Sequence, residues 1–284
     1  MSEIFKNPVR FLQEKIEKFT ENNPQNRLNH LDKTKIFQKP LIGWTGGNNP
    51  LFTRYKNIIG EFHLTPEELI NQEYNEKEKI NKEDLSVICW VLPISEKTRM
   101  SNRKEKRLPS LRWAHTRTCG EQFNDSLRKY VESILKEQGY RAVAPMLSDS
   151  FEWKDDTTVG IASTWSERHA LYAAGMGTFG LCDGFITEAG KAMRCGSVIT
   201  DLKLPASISS YKDHTDNCLF LSGNDDCKEC SKRCPAGAIT EFGHDKDKCL
   251  DYQRKYIKPE EYGVEVPGCG LCQTGVPCES EIPG

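Results

Sequence analysis

The sequence of 284 residues has no long apolar run. Its longest, Val87 to Leu92, has six residues, far short of the ~20 needed to span a bilayer. Residues 1–11 contain no apolar signal core and no twin arginine. We therefore expect a cytoplasmic protein that has no membrane partner.

The chain also lacks an excess of charge of either sign. Lysine and arginine together number 39 and the acidic residues 41, so the formal net charge is −2. This balance argues against a dedicated nucleic-acid coat, so we expect no nucleic-acid partner. Apolar residues make up 37% of the chain, which is long enough to bury a substantial core.

Cysteine, by contrast, is abundant and unevenly placed. Four of the twelve cysteines lie in the first 217 residues: Cys89, Cys119, Cys182 and Cys195. The last 67 residues hold the other eight: Cys218, Cys227, Cys230, Cys234, Cys249, Cys269, Cys272 and Cys278. Because the cytosol keeps thiols reduced, such a dense array indicates metal ligation before disulfides. Eight is the number of thiolates that two four-thiolate sites require.

The spacing of three of these cysteines indicates an iron–sulfur cluster. Cys227, Cys230 and Cys234 form the pattern C-x2-C-x3-C-P with Pro235. It matches the end of the bacterial ferredoxin run C-x2-C-x2-C-x3-C-P, in which the last cysteine serves the other cluster. Asn224 occupies the position of that run's first cysteine. The nearest upstream thiol, Cys218, is therefore our candidate for that corner.

The downstream cysteines complete the ligand set by analogy with two-cluster ferredoxins. We assign Cys218, Cys227, Cys230 and Cys278 to one [4Fe–4S] cluster, and Cys234, Cys249, Cys269 and Cys272 to the other. Structural zinc and a single cluster with unused thiols are the alternatives. The four N-terminal cysteines are interpreted as small apolar core residues, although Cys182 and Cys195 lie near a glycine-rich turn.

The remaining pattern predicts an α+β fold, because helices and strands are mixed without a βαβ repeat. Residues 1–80 are predicted to be a helical or irregular region, 81–214 an α+β cofactor-binding domain, and 215–284 a ferredoxin-like domain. The stretch from Gly43 to Pro50 is predicted to be a loop. The predicted helices are one around Val9 to Phe19, one starting at Thr65-Pro66, Glu121–Gln138 and Trp165–Ala174. The predicted strands are Val87–Leu92, Arg141–Leu147, Phe185–Thr187 and Ser197–Leu202.

The central part of the chain resembles a known family. Three segments, Glu167 to Gly180, Gly184 to Thr187 and Gly196 to Pro205, look like the middle of the epoxyqueuosine reductases. There a helix runs into a Gly-x-Gly turn, and a Gly-Ser strand ending in Thr-Asp-Leu leads to the ferredoxin module. Reductive dehalogenases share this core. The resemblance covers roughly residues 85–280.

The resemblance implies a nitroreductase-like core that binds cobalamin, with two [4Fe–4S] clusters passing electrons to cobalt. The reduced cobalt would cleave a C–O, C–halogen or similar bond of a small or nucleoside-like substrate. An external ferredoxin or flavodoxin would be the electron donor. The residues implied in cofactor binding are Gly177, Thr178, Phe179, Gly180 and Ser197. The alternatives are an electron carrier that has lost the corrinoid and a flavin enzyme on the same core.

One departure from the family concerns the catalytic acid. The family's catalytic aspartate falls at Ile161, Ala162 or Ser163, and the nearby carboxylates are Asp155 and Asp156. The catalytic residues are therefore unknown. His169 and Tyr172 are candidate proton donors, although a helical histidine is more often structural.

A basic segment precedes the long predicted helix. It comprises Arg99, Arg103, Lys104, Lys106, Arg107, Arg112 and Arg117. The segment is either a solvated loop or a binding site for an anionic substrate, the corrinoid periphery or an acidic electron donor.

Overall fold

The computed structural model describes residues 3–75, 79–155 and 157–284, except for the side chains of Glu3 and Phe5. The helices are α1 (Glu3–Lys6), α2 (Pro8–Asn22), α3 (Pro50–Ile59), α4 (Pro66–Tyr74), α5 (Glu96–Arg103), α6 (Leu111–Glu137), α7 (Glu167–Ala173), α8 (Glu229–Lys232), α9 (Lys246–Tyr256) and α10 (Pro259–Tyr262). The strands are β1 (Leu41–Gly46), β2 (Ser86–Pro93), β3 (Ala142–Val143), β4 (Trp153–Lys154), β5 (Ala162–Ser163), β6 (Thr178–Phe179), β7 (Phe185–Ile186), β8 (Met193–Thr200), β9 (Ile239–Thr240) and β10 (Gly243–His244). This mixture of helices and strands agrees with the predicted class.

A four-stranded antiparallel sheet of order β1-β2-β8-β3 forms the centre of the fold. All eight residues of β2 are buried. Ile88, Trp90 and Leu92 belong to the apolar cluster that includes α2 and α6, whereas Val87 and Val91 belong to the cluster on the other face. Because both faces are covered, the strand has a continuous apolar run, which is why the sequence predicts it correctly.

Two predicted helix starts are confirmed by their caps. The side chain of Thr65 accepts a hydrogen bond from the backbone of Glu68, whose carboxylate accepts one in return, a capping box that begins α4. The N-terminal helix is α2, with Leu12 and Ile16 buried in the core. Phe5, which the sequence counts in the same stripe, has its side chain outside the described part of the chain.

Two predictions were wrong in part. Residues Gly43 to Gly46 of the predicted loop belong to β1, which pairs with β2 along its whole length. At Gly43 a Cβ atom would lie 2.9 Å from the side chain of Met176, so close packing explains the glycine. The predicted strand Arg141–Leu147 shortens to β3 because a 3₁₀ turn begins at Pro145.

The basic segment is helical in part and an exposed loop in part. Its first two arginines lie in α5 and its last two in α6, while Lys104, Lys106 and Arg107 are exposed in the connection between these helices. Helix α6 begins ten residues before the predicted start, at a cap in which Ser110 Oγ accepts a hydrogen bond from Trp113 N at 3.1 Å. Trp113 and His115 are buried. The sequence pattern did not predict this start, because arginines that bind other parts of the chain interrupt the row of apolar residues along α6.

The cysteine-rich segment from residue 215 packs against α5 and α6 through polar contacts. Asn102 Nδ2 donates to Cys269 O and Thr274 Oγ1, each at 3.1 Å. Arg103 Nε binds both carboxylate oxygens of Glu279 at 2.8 and 3.0 Å. No helix of the described residues is long and apolar enough to cross a membrane.

Candidate functional site

Four thiols surround the buried ammonium of Lys191, and we call this set the inner thiol group: Cys182, Cys230, Cys272 and Cys278. Lys191 is 3% exposed, and its Nζ atom lies 3.3 Å from Cys182 Sγ. Cys182 Sγ lies 4.0 Å from Cys272 O. The nearby thiols of Cys230 and Cys272 hold the pKa of Cys182 well below the usual value, and the charge of Lys191 acts in the same direction. The negative thiolates in turn raise the pKa of Lys191 despite its burial.

Short structures place these thiols. Cys182 lies in the turn between β6 and β7, and Cys230 is the buried residue of α8. Cys272 lies in a 3₁₀ turn entered through Gly270, whose φ of 64° is left-handed. A Cβ atom at Gly270 would lie 1.9 Å from the ring of Trp113, so the turn has room only for glycine.

A second set, the outer thiol group, comprises Cys234, Cys249 and Cys269. Burial raises the pKa of Cys269 to about 11, and the nearby thiols of Cys249 and Cys234 act in the same direction. The three thiols therefore lie close to one another. Hydrogen bonds reach two of the sulfurs. Ala238 N donates to Cys234 Sγ at 3.3 Å, and Gln253 Nε2 donates to Cys249 Sγ at 3.2 Å. Such donors stabilise thiolates and tune cluster potentials.

Of the other two predicted ligands, Cys218 lies near Cys278 of the inner thiol group. Cys218 is 9% exposed and packs in the same apolar cluster as the inner thiol group. Cys227 is half-buried. The structure places Cys272 near Cys182 as well as near Cys269, whereas the sequence grouped it with the outer thiols alone. The assignment of individual cysteines to two clusters stays a prediction.

Cys182 is the thiol that sequence reasoning missed as a site residue. Its position beside a glycine-rich turn and the missing cysteine at Asn224 were the signals that pointed to it. Among the described residues, no group of three or more His, Cys, Asp or Glu side chains has the geometry to hold one metal ion. A four-iron cluster spreads its thiolates around a larger body than one ion, and the donor set of sulfurs suits such a cluster.

A cavity of about 900 Å³ lies beside the inner thiol group and reaches it through Leu181, Lys191 and Gln273. Its opposite wall includes Trp165 and Tyr55 of the core. This volume falls within the range of small-molecule and cofactor sites.

The cavity wall is predominantly cationic, although the chain as a whole is slightly acidic. Among the described lining residues, eight are cationic and five are acidic. The cationic residues are Arg54, Arg117, Arg128, Arg168, Lys191, Arg194, Lys212 and Lys246. The acidic residues are Glu121, Glu167, Asp183, Asp213 and Glu241.

Arginines of the wall differ in how far carboxylates compensate them. Arg128 is buried and ion-paired to Glu121, Asp125 and Glu167. Burial, and then the charge of Arg117, lowers the pKa of Arg194 to about 9, and burial lowers that of Arg117 to about 10. Arg117 donates to the carbonyl of Pro267 at 2.7 and 2.9 Å, and a carbonyl cannot neutralise it. Arg194 is ion-paired to Glu121, so Arg117 is the cation that leaves this part of the cavity favourable to an anionic group.

Both candidate proton donors line the cavity. His169 bonds to Ser166 Oγ through Nδ1 at 2.8 Å, and burial lowers its pKa to about 3, so it is neutral at pH 7. Burial raises the pKa of Tyr172, with a smaller contribution from Asp213, so the phenol keeps its proton at neutral pH. Tyr172 is therefore the better-suited proton donor.

The residues implied in cofactor binding divide into two sets. Phe179 and Gly180 line the cavity. Thr178 is buried and accepts a hydrogen bond from Asn217 N at 2.9 Å, and Ser197 accepts one from Trp165 Nε1 at 3.0 Å. At Gly177 a Cβ atom would lie 2.3 Å from the carbonyl oxygen of Ile186. These three residues support the wall from behind.

The positions aligned with the family's aspartate also line the cavity, as Ile161, Ala162 and Ser163. Asp155 is exposed, and Asp156 lies outside the described residues. Cys195, interpreted as a core residue, faces the cavity too, and burial raises its pKa to about 11.

Comparison with known proteins gives structural similarity alone. No family model matches the sequence, and no curated protein matches it. A catabolic reductive dehalogenase superimposes with a TM-score of 0.50 at 14% identity, covering 86% of this chain and 30% of that one. An epoxyqueuosine reductase gives a TM-score of 0.48 at 18% identity and the Bacillus subtilis epoxyqueuosine reductase 0.49 at 17%. They cover 95% and 97% of this chain, and 66% and 67% of their own. The predicted resemblance is confirmed at the level of the fold, while the chain spans about two thirds of these reductases and under a third of the dehalogenase.

Proposed function

We propose that the protein is an iron–sulfur oxidoreductase in which two [4Fe–4S] clusters pass electrons to a corrinoid in the cavity. The carrying observation is that the cavity adjoins the inner thiol group through Lys191 and Gln273. A cluster held by those thiols would lie next to whatever the cavity binds, as electron transfer requires. In this proposal the core is nitroreductase-like, and residues 215–284 form the ferredoxin-like domain.

The wall of the cavity fits a large polar cofactor and a small substrate. When bound, a reduced corrinoid supplies a strongly nucleophilic metal centre that can cleave C–O or C–halogen bonds. The ring of Phe179 and the backbone at Gly180 offer a flat apolar surface, while Arg54, Lys212 and Lys246 can bind amide and phosphate groups. Tyr172 holds a proton on its phenol oxygen for the product.

The substrate in this proposal is a small molecule that carries an anionic group. Arg117 is a half-buried cation whose partner is the carbonyl of Pro267, so a carboxylate or phosphate would compensate its charge, which supports this choice. The external donor would be a ferredoxin or flavodoxin. Lys104, Lys106 and Arg107 are exposed and supply a positive surface for such an acidic protein. The cytoplasmic location remains a prediction.

Anaerobic cofactor analysis tests the proposal. We expect the purified protein to contain iron and sulfide at about eight atoms each per chain, as two cubanes require. We also expect added cobalamin to bind with the spectral change of the base-off form. Bound iron without any cobalamin response would contradict the corrinoid and favour the electron carrier, while extracted flavin would favour the flavin enzyme.

A further inference from the structure

We infer that Cys182 ligates the cluster of the inner thiol group, at the corner left open by Asn224. The inference rests on the iron–sulfur part of the proposed function and adds a residue outside the ferredoxin-like segment. Cys182 is 5% exposed, its Sγ lies 4.0 Å from Cys272 O and 3.3 Å from Lys191 Nζ, and it packs in one apolar cluster with Cys230. Asn224 and its neighbours Gly223 and Asp225 are exposed, so the missing corner faces solvent rather than the thiols.

The backbone holds Cys182 in this position. Gly180 N donates to Gly184 O at 2.8 Å, and Asp183 N donates to Gly180 O at 2.9 Å, which closes a tight turn around Cys182. Asp183 has a left-handed φ of 56°. A Cβ atom at Gly184 would lie 3.1 Å from Cys182 Sγ, so glycine there leaves room for the sulfur. The thiol is therefore directed inward by a rigid loop.

The charge of Lys191 supports a negative group at this point. A buried ammonium is costly unless an opposite charge compensates it. No carboxylate of the described residues forms an ion pair with Lys191, whereas Cys182 Sγ lies 3.3 Å from its Nζ. An apolar core cysteine needs no buried lysine, but a cluster with four thiolates carries negative charge. On cluster binding, Cys182 forms its Fe–Sγ bond as a thiolate, and the proton of each protonated thiol ligand leaves to solvent as its own Fe–Sγ bond forms.

With Cys182 as a ligand, nine thiols compete for eight corners, and we infer that Cys218 is the one not required. Cys218 shares the apolar cluster of the inner thiol group and lies near Cys278, but Cys182 lies near Cys230, Cys272 and Cys278 and is the thiol that accepts the hydrogen bond of Lys191. The matched variants are therefore Cys182→Ser and Cys218→Ser. Cys89→Ser serves as the control, because Cys89 is fully buried in the central sheet.

The experiment measures iron per chain and the electron paramagnetic resonance of the reduced protein after anaerobic reconstitution with ferrous iron and sulfide. We expect Cys182→Ser to lose about half of the iron and one cluster signal, while Cys218→Ser and Cys89→Ser keep both. The retained second signal shows that the variant is folded. Full iron in Cys182→Ser, or loss of one cluster from Cys218→Ser instead, would overturn the inference.

Should Cys182→Ser lose both clusters, Lys191→Met decides the question, because it keeps the thiol and removes only its hydrogen-bond donor. We expect one of the two midpoint potentials to fall while both clusters remain, and two unchanged potentials would overturn the inference. All measurements are made without cobalamin. Wild-type protein without iron would refute the proposed function itself, whereas two clusters with an unaltered Cys182→Ser would refute only this ligand.

Discussion

The central sheet and the cysteine-rich segment are stabilised in different ways. In the sheet, β2 buries every residue between two apolar clusters. In the segment after residue 215, α9 has no buried residue, and the apolar cluster around Ile239 and Val276 consists largely of cysteines. Apolar burial therefore accounts for the first region, whereas the second needs ligation to offset its conformational entropy.

The largest effect that this comparison predicts is that of metal removal. Chelation under denaturant-free conditions should make the segment from Cys218 onward accessible to protease, while the sheet stays protected. The reason is that metal-binding free energy becomes folding free energy where a preformed core is small. Hydrogen exchange read by mass spectrometry measures both regions at once. Equal protection of the segment with and without metal would remove the contrast between the two regions.

The second prediction concerns a substitution that destabilises the central sheet alone. Trp90 is fully buried, donates to Asn124 Oδ1 at 2.9 Å and packs on Gly196, where a Cβ atom would lie 2.5 Å from the ring. Trp90→Ala should lower the free energy of unfolding by about 3–5 kcal/mol. Trp153→Ala, at a site 66% exposed, is the matched control and should change it by less than about 0.5 kcal/mol. Urea denaturation checks both, and iron bound per folded chain should not change.

A third prediction concerns the contact between the two regions. Glu279 is 2% exposed, binds Arg103 through both oxygens and accepts a hydrogen bond from Gly275 N at 2.6 Å. Glu279→Gln should destabilise the docked segment by about 1–3 kcal/mol, because it weakens the hydrogen bonds to the 45% exposed Arg103 and leaves the buried Arg99 without its carboxylate. Glu281→Gln, at an exposed site, is the control. Faster hydrogen exchange confined to the segment would support the prediction, and an unaltered rate would contradict it.

The same difference explains how much the sequence could predict. Strand β2 and helix α4 were predictable because a buried run and a capping box act locally. Strand β1 was not, because its Gly43 and Gly46 are fixed by contacts with β2 and by close packing that involve distant residues. Arginines also hid the start of α6, since Arg112 contacts Asp32 and Arg117 contacts Pro267.

The site was predictable only as far as spacing reaches. The C-x2-C-x3-C-P pattern marks Cys227, Cys230 and Cys234 because one loop carries all three. Cys182 carries no such spacing, since it reaches Cys230 and Cys272 by tertiary folding. The cationic cavity has the same origin, because its arginines come from separate helices and from β8.

The last predicted effect is absent at neutral pH and appears on acidification, and it shows that the apolar core also contains a polar weakness. His63 is 1% exposed, its ring stacks on Trp165 at 6.1 Å, and neither ring nitrogen has a hydrogen-bond partner among the described residues. Burial lowers its pKa to about 4. Because the unfolded chain takes up a proton near pH 6.5 and the folded protein does not, the stability from neutral His63 is present above that pH and is lost as pH falls towards 4. His63→Phe should therefore remove up to about 3 kcal/mol of the acid destabilisation, and the unfolding midpoint in urea measured from pH 7 to pH 4 tests this. Identical pH dependence in the wild type and the variant would show that His63 is not the responsible group.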